Sequence, residues 1–568
     1  MSIIDPITFQ VISTGLTGIV REMQLLLFRT GYSTAIRESQ DASCAILDRQ
    51  GNLVAQFRSL YMHMGIFRVM MDALFENYPP SEIEDGDVFI LNHPYQGGST
   101  HVSDMGVVAP IFYHGELVAF CASMAHKTDI GGAVPGSASG QSTEIYQEGL
   151  LVPPLKYVSQ GRTSPEIEAI LKSNSRTPEV LIGDIRGQIG VCRIGGDRLG
   201  KLIDKYRQDT ILWSFNEVMN RTEKRVRAGI SNWKDATVEV ESFLDPDGFV
   251  QEQPVKLHVS LTKRASSLLF DFSRSDSQTR GPLNLKPAVA LSACYFGLVA
   301  TIDPTIPNNA GLAKAMESRF DNHSVLNPDP PAPVSCYSMT GAKVLYLVVN
   351  ALQQLSGQSP LADSGIGGVL TIGGRSLLTG RSYIQYEIHG GGKGAIEGDD
   401  GGSGGHGVRG APGHGREVPV EILETEFACQ LRHYEMLPDS GGPGKFRGGP
   451  GTLKEYLILD KEARMGVRSN GFVFPADGTG GGLPGRRGAA TLNPGTPLEK
   501  RLPPLIADVR LKPGDILRVE TGGGGGVGNP RGRSREKLLD DLEDGYISRK
   551  QAEEVYGLVT IPEKFKGS

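Results

Sequence analysis

Glycine constrains this chain more than any other residue. It supplies 74 of 568 positions, about twice the ~7% usual in globular proteins. Much of it lies in blocks, "HGGGKGAIEGDDGGSGGHGVRG" at 389–410 and "TGGGGGVGNP" at 521–530. Glycine packs no side chain and loses the most backbone entropy on ordering. Tight turns between short strands account for most of these glycines, with phosphate-cradling loops as the alternative. The stretch 391–415 has the length of a mobile lid or of an ordinary flexible surface loop.

A chain this long exceeds one core, and two to four domains of roughly 150 residues are expected. Hydrophobic residues at 39% and charged residues at 21% are globular values. A net charge of -6 leaves no basic footprint, so nucleic acid is not an expected partner. The six cysteines stand singly, with no CxxC, which argues against a zinc ribbon or a disulfide framework. The start, "MSIIDPITFQ", has no basic segment leading an apolar core, and no apolar run approaches the ~18 residues of a membrane span. A cytoplasmic protein without membrane contact is expected.

Apolar spacing predicts a helix over 6–31, with Asp5-Pro6 at its start and Gly31 at its end. Hairpins are expected at Gln50-Gly51-Asn52, at His114-Gly115 and within 243–251. Helices should fill most of 165–233 and recur near 280–301 and 341–356. Short strands follow from 385 to 533, and Ser534 and Ser548 each open a helix in the tail. The expected class is α+β and multi-domain, with mixed and antiparallel sheets and a Gly-rich β region toward the C-terminus. Its parts are 1–235 with the metal-site motifs, a mixed α/β unit at 236–385, the Gly-rich unit at 386–533, and a helical tail at 534–568.

Two predicted strands carry the chemistry. "NHPYQGGSTHVSDMG" brings His101 and Asp104 into a Gly-containing loop, and "GELVAFCASMAHKTDIGG" ends in His126 followed by Asp129. Each pair taken singly is more often a structural histidine–carboxylate hydrogen bond. Two pairs at strand exits suit a metal bound by imidazole and carboxylate, with Zn, Mn or Fe(II) as candidates. Glu38 and Asp41, before another strand, could add an oxygen.

These stretches, with "IRESQDASCAILDRQGNLVAQ", "EIYQEGLLVPPLK", "DIRGQIG", "NPDPPAPVSCYS", "VPVEILETEF", "PDSGGPGKFRGGPGT" and "DGYISRKQAEEVYGLV", closely resemble the B subunit of ATP-dependent hydantoinases and 5-oxoprolinases. The resemblance covers essentially the whole chain. More distantly, the chain resembles the alpha subunits of acetone and acetophenone carboxylases. The resemblance implies a hydantoinase A-like ATPase partner, in an (αβ)2 heterotetramer, which uses ATP and Mg to phosphorylate a small-molecule substrate. It implies one divalent metal in this chain, Zn or Mn before Fe, on Asp41, His101, Asp104 and His126. Asp129 and Glu148 are then candidates for a general base or for carboxylates that orient a ligand. The chain departs from the family in His93, where an aspartate is usual and an additional ligand is conceivable, and in lacking an arginine near Cys336.

Consistent with a separate ATPase, no G-x-x-x-x-G-K-[ST] occurs; "GGGKGA" continues with Gly394 after Lys393. The implied reaction is ATP-dependent opening of a hydantoin, 5-oxoproline or other lactam ring. A ketone-carboxylase subunit and a non-catalytic, metal-stabilised scaffold are the alternatives.

Overall fold

The computed structural model describes residues 4–57, 60–249, 253–377, 379–404 and 415–559. Part of the expected third hairpin and residues 405–414 of the lid-length stretch lie outside these residues.

Helix α1 (Pro6–Thr30) starts where Asp5 accepts the Ile7 and Thr8 N–H groups. By length and hydropathy it could cross a membrane. Its stripe of Ile12, Leu16, Ile19, Val20, Met23 and Leu27 is instead buried in a core shared with the first sheet. A short helix, α2 (Thr34–Arg37), then leads into that sheet.

The sheet is built from β1 (Ala42–Asp48), β2 (Leu53–Gln56), β3 (Val88–Leu91), β4 (Asp104–Tyr113), β5 (Glu116–His126), β6 (Leu155–Ser159) and β7 (Arg162–Thr163), in the order β2-β1-β5-β4-β3-β6-β7. All its pairings are antiparallel. The β4–β5 turn uses His114 and Gly115, both at positive φ, which matches the twist of the flanking strands. Helix α3 (Ile66–Asn77) packs Phe67, Met70, Met71 and Leu74 on one face. After α4 (Pro165–Ser173), the long helices α5 (Pro178–Tyr206) and α6 (Gln208–Ser231) join α1 on the other face. Every residue of β1 is buried, because helices cover both faces of the sheet.

A second sheet holds β8 (Ala236–Leu244), β9 (Val255–Arg264), β10 (Ser267–Asp271) and β11 (Met316–Arg319), with β10–β11 parallel and the rest antiparallel. Helices α7 (Pro287–Ile302) and α8 (Tyr337–Ser356) share its core. The remaining strands are β12 (Gly368–Arg375), β13 (Ser382–His389), β14 (Cys429–Met436), β15 (Thr452–Ile458), β16 (Ala463–Arg468), β17 (Ala489–Leu492), β18 (Lys500–Leu502), β19 (Leu505–Leu511) and β20 (Ile516–Glu520). They alternate between two sheets, β13-β12-β16-β19 and β14-β15-β20-β17-β18, which enclose one core with Leu370, Ile372, Tyr456 and Leu517. The α+β, multi-domain class with mixed and antiparallel sheets is the one observed.

The described glycines around 522–526 do not sit in turns. The Gly523 N–H donates to the Arg486 carbonyl, Gly524 to Gly449, Gly525 to Asp363 and Gly526 to Leu483. Donors three residues apart return to one neighbouring segment (483–486), while the two between them reach two other segments. This is a threefold rather than a twofold repeat, the symmetry of polyproline-II-like backbone. A Cβ on Gly523 would lie 1.8 Å from the Ser440 carbonyl oxygen, and one on Gly392 1.9 Å from that of Gly449. Glycine is thus the packing unit here: backbone lies against backbone, and its N–H groups are already occupied by carbonyls.

After α9 (Val420–Glu426), the tail helices α10 (Arg535–Glu543) and α11 (Arg549–Glu554) are capped by Ser534 and Ser548. They fold back on the glycine region, where Asp541 pairs with Arg447 and Arg533, and Arg533 with Asp400.

Candidate metal centre

The antiparallel register brings several strand ends to one place. Asp104, the first residue of β4, is the cross-strand partner of His126, the last residue of β5. On the other side of β5, Ala42 pairs with Ala125, and the His126 N–H donates to the Asp41 carbonyl at 3.1 Å. His101 stands in the loop just before β4. Asp41, His101, Asp104 and His126 therefore meet at one end of the three central strands.

His63 joins them from the short 3-10 helix Tyr61–His63. No sequence pattern pointed to it. The available signal was a lone imidazole in "LYMHM", an otherwise apolar run with no strand or helix period. The five residues fall into two overlapping sets, His101–Asp104–His126 and Asp41–His63–Asp104, each offering ligand atoms within 4.8 Å of one another.

Asp104 is the hub. Its Oδ1 lies 3.3 Å from His101 Nε2 and 3.4 Å from His126 Nδ1, and its Oδ2 lies 3.5 Å from His63 Nε2. Thr100 and Tyr337 donate to Oδ2 as well. These imidazole–carboxylate separations are long for charge-assisted hydrogen bonds. They match the ~3.3–3.4 Å between tetrahedral ligands on an ion with ~2.0–2.1 Å bonds. Asp104 Oδ1, His101 Nδ1 and His126 Nε2 are buried without a hydrogen-bond partner. Of these, Oδ1 is the atom between the two near ring nitrogens. A buried carboxylate oxygen left uncompensated there costs ~1–3 kcal/mol and fits a cation. His101 Nδ1 and His126 Nε2 are the far nitrogens of their rings. Tyr386 stacks on His126 at 4.3 Å and donates to Asp41 at 3.5 Å.

The protonation states agree with a ligand set. Burial lowers the His126 imidazole against the pull of Asp104, favouring its neutral form. Burial alone would raise Asp104, but His101, His126 and His63 outweigh it and hold the carboxyl well below its ordinary value. Burial raises Asp41, the change that a divalent charge alongside would reverse. The cluster opens into a cavity of about 90 Å3, lined also by Tyr337, Ser338, Tyr386 and Arg468.

Residues 5–530 match the family described as hydantoinase B/oxoprolinase. The chain belongs to that family. Among its relatives, the B component of a putative D-/L-hydantoinase from a Pseudomonas species is 30% identical, over 98% of this chain and 95% of its own length. The crystal structure of an ATP-dependent caprolactamase from Pseudomonas jessenii superposes with a TM-score of 0.89 at 26% identity, covering 99% of this chain and 97% of that one. A nucleotide-free acetone carboxylase shares the fold, with a TM-score of 0.87 at 19% identity over 99% of this chain and 81% of that one.

The residues that hydantoinase B motifs bring into question fall in different places. Glu38 pairs with Arg37, while Asp41 lines the cavity. His93 Nδ1 accepts the N–H groups of Tyr95 and Gln96 and so closes its own turn. Asp129 accepts the N–H groups of Gly136 and Arg176 and pairs with the Arg176 guanidinium at 3.0 Å. Glu148 accepts the Val334 and Ser335 N–H groups and so fixes the segment leading into α8. Neither Asp129 nor Glu148 lines the cavity. In "DIRGQIG", Asp184 accepts from Tyr32 and Ser33, and the Gln188 amide donates to the Met105 carbonyl in β4 and accepts from Lys127.

Burial pushes the Glu148 carboxyl up to about 7, against the Ser335 and Val334 N–H groups. A carboxyl raised on folding adds stability below its unfolded value of about 4.3 and loses that contribution as pH rises through its folded value. The thermal stability of Glu148→Gln, whose Oε1 still accepts, is therefore expected to gain on that of the parent protein between about pH 5 and about pH 8. Parallel profiles for the two proteins would contradict this.

Proposed function

We propose that this chain is the ring-opening subunit of an ATP-dependent cyclic amidohydrolase acting on a hydantoin, 5-oxoproline or related lactam. A separate A-type ATPase, in an (αβ)2 assembly, phosphorylates the ring oxygen with ATP and Mg, and this chain completes the hydrolysis. The observation that carries the reading is the convergence of Asp41, His63, His101 and His126 on one cavity around the buried Asp104.

Asp41, His101, Asp104 and His126 would hold a divalent ion, Zn or Mn before Fe by donor type. Such an ion supplies Lewis acidity and makes a bound water acidic near neutrality. Thr100 and Tyr337 orient Asp104, and Tyr386 orients Asp41. His63 lines the cavity with Nδ1 3.0 Å from Ser43 Oγ, which fixes its ring, and is placed to take the proton of the attacking water. Water adds to the phosphorylated ring carbon, and the C–N bond breaks as the nitrogen gains a proton. The acyl phosphate left behind is hydrolysed to carboxylate and phosphate. Asp129 and Glu148 act through the backbone they hold.

The reaction is tested by incubating the reconstituted complex with ATP and hydantoin, 5-oxoproline or caprolactam, with and without labelled bicarbonate. Ring-opened acid formed without bicarbonate is expected. Label retained in an acid-stable product would point instead to carboxylation. His63→Ala should retain the ion at parental stoichiometry and lose ~10²–10⁴-fold in turnover, the usual range for a proton-transfer group. Loss of the ion would place His63 among the ligands instead.

A further inference from the structure

The same cavity is also lined by groups of different chemistry. Arg468, the last residue of β16, lines it at 4% exposure. Its Nη1 donates to the Ser335 carbonyl at 3.0 Å, while its Nη2 is buried without a hydrogen-bond partner. Among the described residues no carboxylate forms an ion pair with it. Glu148 feels its charge but gives both oxygens to backbone N–H groups. A guanidinium cannot neutralise itself by losing a proton, so a buried one without a counter-anion is costly.

A second, independent feature faces the same space. Helix α8, 20 residues long, starts at Tyr337, and its N-cap residue Cys336 provides no side-chain cap. Its first three residues, Tyr337, Ser338 and Met339, all line the cavity. The end of a long helix carries partial positive charge. Here the Tyr337 and Met339 N–H groups already donate to the Val334 and Cys336 carbonyls, so the Ser338 N–H is the one left to meet an anion. Arg468 reaches this helix start from another strand, since it holds the carbonyl of Ser335, the residue before Cys336.

We propose that Arg468 and the N-terminus of α8 form an oxyanion subsite that takes the phosphoryl group of the activated substrate. The proposal rests on the ring-opening reading above. The five-residue cluster has two carboxylates to offset a divalent ion and leaves little net charge for a phosphoryl dianion, whereas Arg468 brings a full charge and the start of α8 a helix dipole to the same cavity. A planar guanidinium suits a phosphoryl oxygen pair. The ring carbon would then meet the cluster while the phosphate meets Arg468, so the two groups together orient the substrate.

Inorganic phosphate and acetate serve as probes, titrated calorimetrically into the reconstituted complex. Phosphate is expected to bind at least about tenfold tighter than acetate. Arg468→Gln should weaken phosphate at least about tenfold and Arg468→Lys by less, both with undiminished metal content. Equal phosphate affinity in Arg468→Gln and the parent protein would overturn the subsite, and tighter acetate would overturn its assignment to phosphoryl. Should Arg468→Gln not fold, phosphate-soaked crystals of the parent protein decide: an anion on Arg468 Nη2 supports the subsite, and an anion bound elsewhere in the cavity overturns it. Failure of the ring-opening reading is separable, because phosphate would still bind Arg468 in a complex that opens no ring.

Discussion

His101→Ala is expected to release the divalent ion and to stop ring opening by the reconstituted complex while leaving the chain folded. His101 contributes an imidazole to the Asp104 hub and stacks at 5.2 Å on His126, yet it belongs to a loop rather than to the sheet ladder. Loss of an outer partner of a ligand typically costs ~10–100-fold in metal affinity, so loss of the imidazole should cost at least about 100-fold. Turnover should fall by at least about three orders of magnitude if the ion provides the acidic water. Metal content by mass spectrometry and product release by chromatography read the two effects separately. His93→Ala, in the same loop but closing only its own turn, should keep both. A folded His101→Ala complex that turned over at the parental rate would reduce the cluster to a structural element and favour the scaffold reading.

The second large effect is expected in the glycine-packed region. Gly524→Ala places a Cβ 2.2 Å from the Lys393 carbonyl oxygen and 2.3 Å from its carbon. Both atoms belong to backbone that is itself hydrogen-bonded, Lys393 N–H to the Gly402 carbonyl and the Lys393 carbonyl to the Gly449 N–H. No rotamer change relieves such a contact, so segments must separate. A loss above roughly 4 kcal/mol, or failure to accumulate soluble protein, is expected. Gly190→Ala in α5 is the control, because its added Cβ meets nothing within 4 Å. It should stabilise by up to ~1 kcal/mol through helix propensity. Thermal melts of the two variants beside the parent protein check both signs. A Gly524→Ala protein as stable as its parent would mean that the glycine packing is looser than described.

The elements with a strong local signal were legible in the residues. The stripe of α1, the His114-Gly115 turn and the Ser534 and Ser548 caps each depend on neighbours within four positions. The strand-exit pattern offered His101, Asp104, His126 and Asp129 alike, and the motifs added Asp41; the fold brings Asp41, His101, Asp104 and His126 together and leaves Asp129 out. His63 was not legible, because nothing in "LYMHM" marks it apart from its neighbours until α3 and α7 press that segment against the sheet. Asp129 and Glu148 stand in the right motifs. Only the fold reveals that Gly136, Arg176, Val334 and Ser335 engage their oxygens.

The glycine blocks show the same division. Their number and clustering are written in the chain, and with them the requirement that no Cβ be present. A run of glycines is compatible with turns, cradles or packed extended backbone, since a residue without a side chain has no periodicity to distinguish a twofold from a threefold repeat. The choice was made by which carbonyls arrived alongside 522–526, and these come from segments near 363, 449 and 486. Likewise the residues alone dictated the α+β class, the helix caps, the hairpin turns and the identity of the donor atoms. Long-range packing dictated that β1, β4 and β5 start or end together, that His63 reaches Asp104, and that Arg468 lines the same cavity. Local preferences act over a few residues, whereas those juxtapositions join positions tens to hundreds of residues apart and are fixed only by burial of the sheets against their helices.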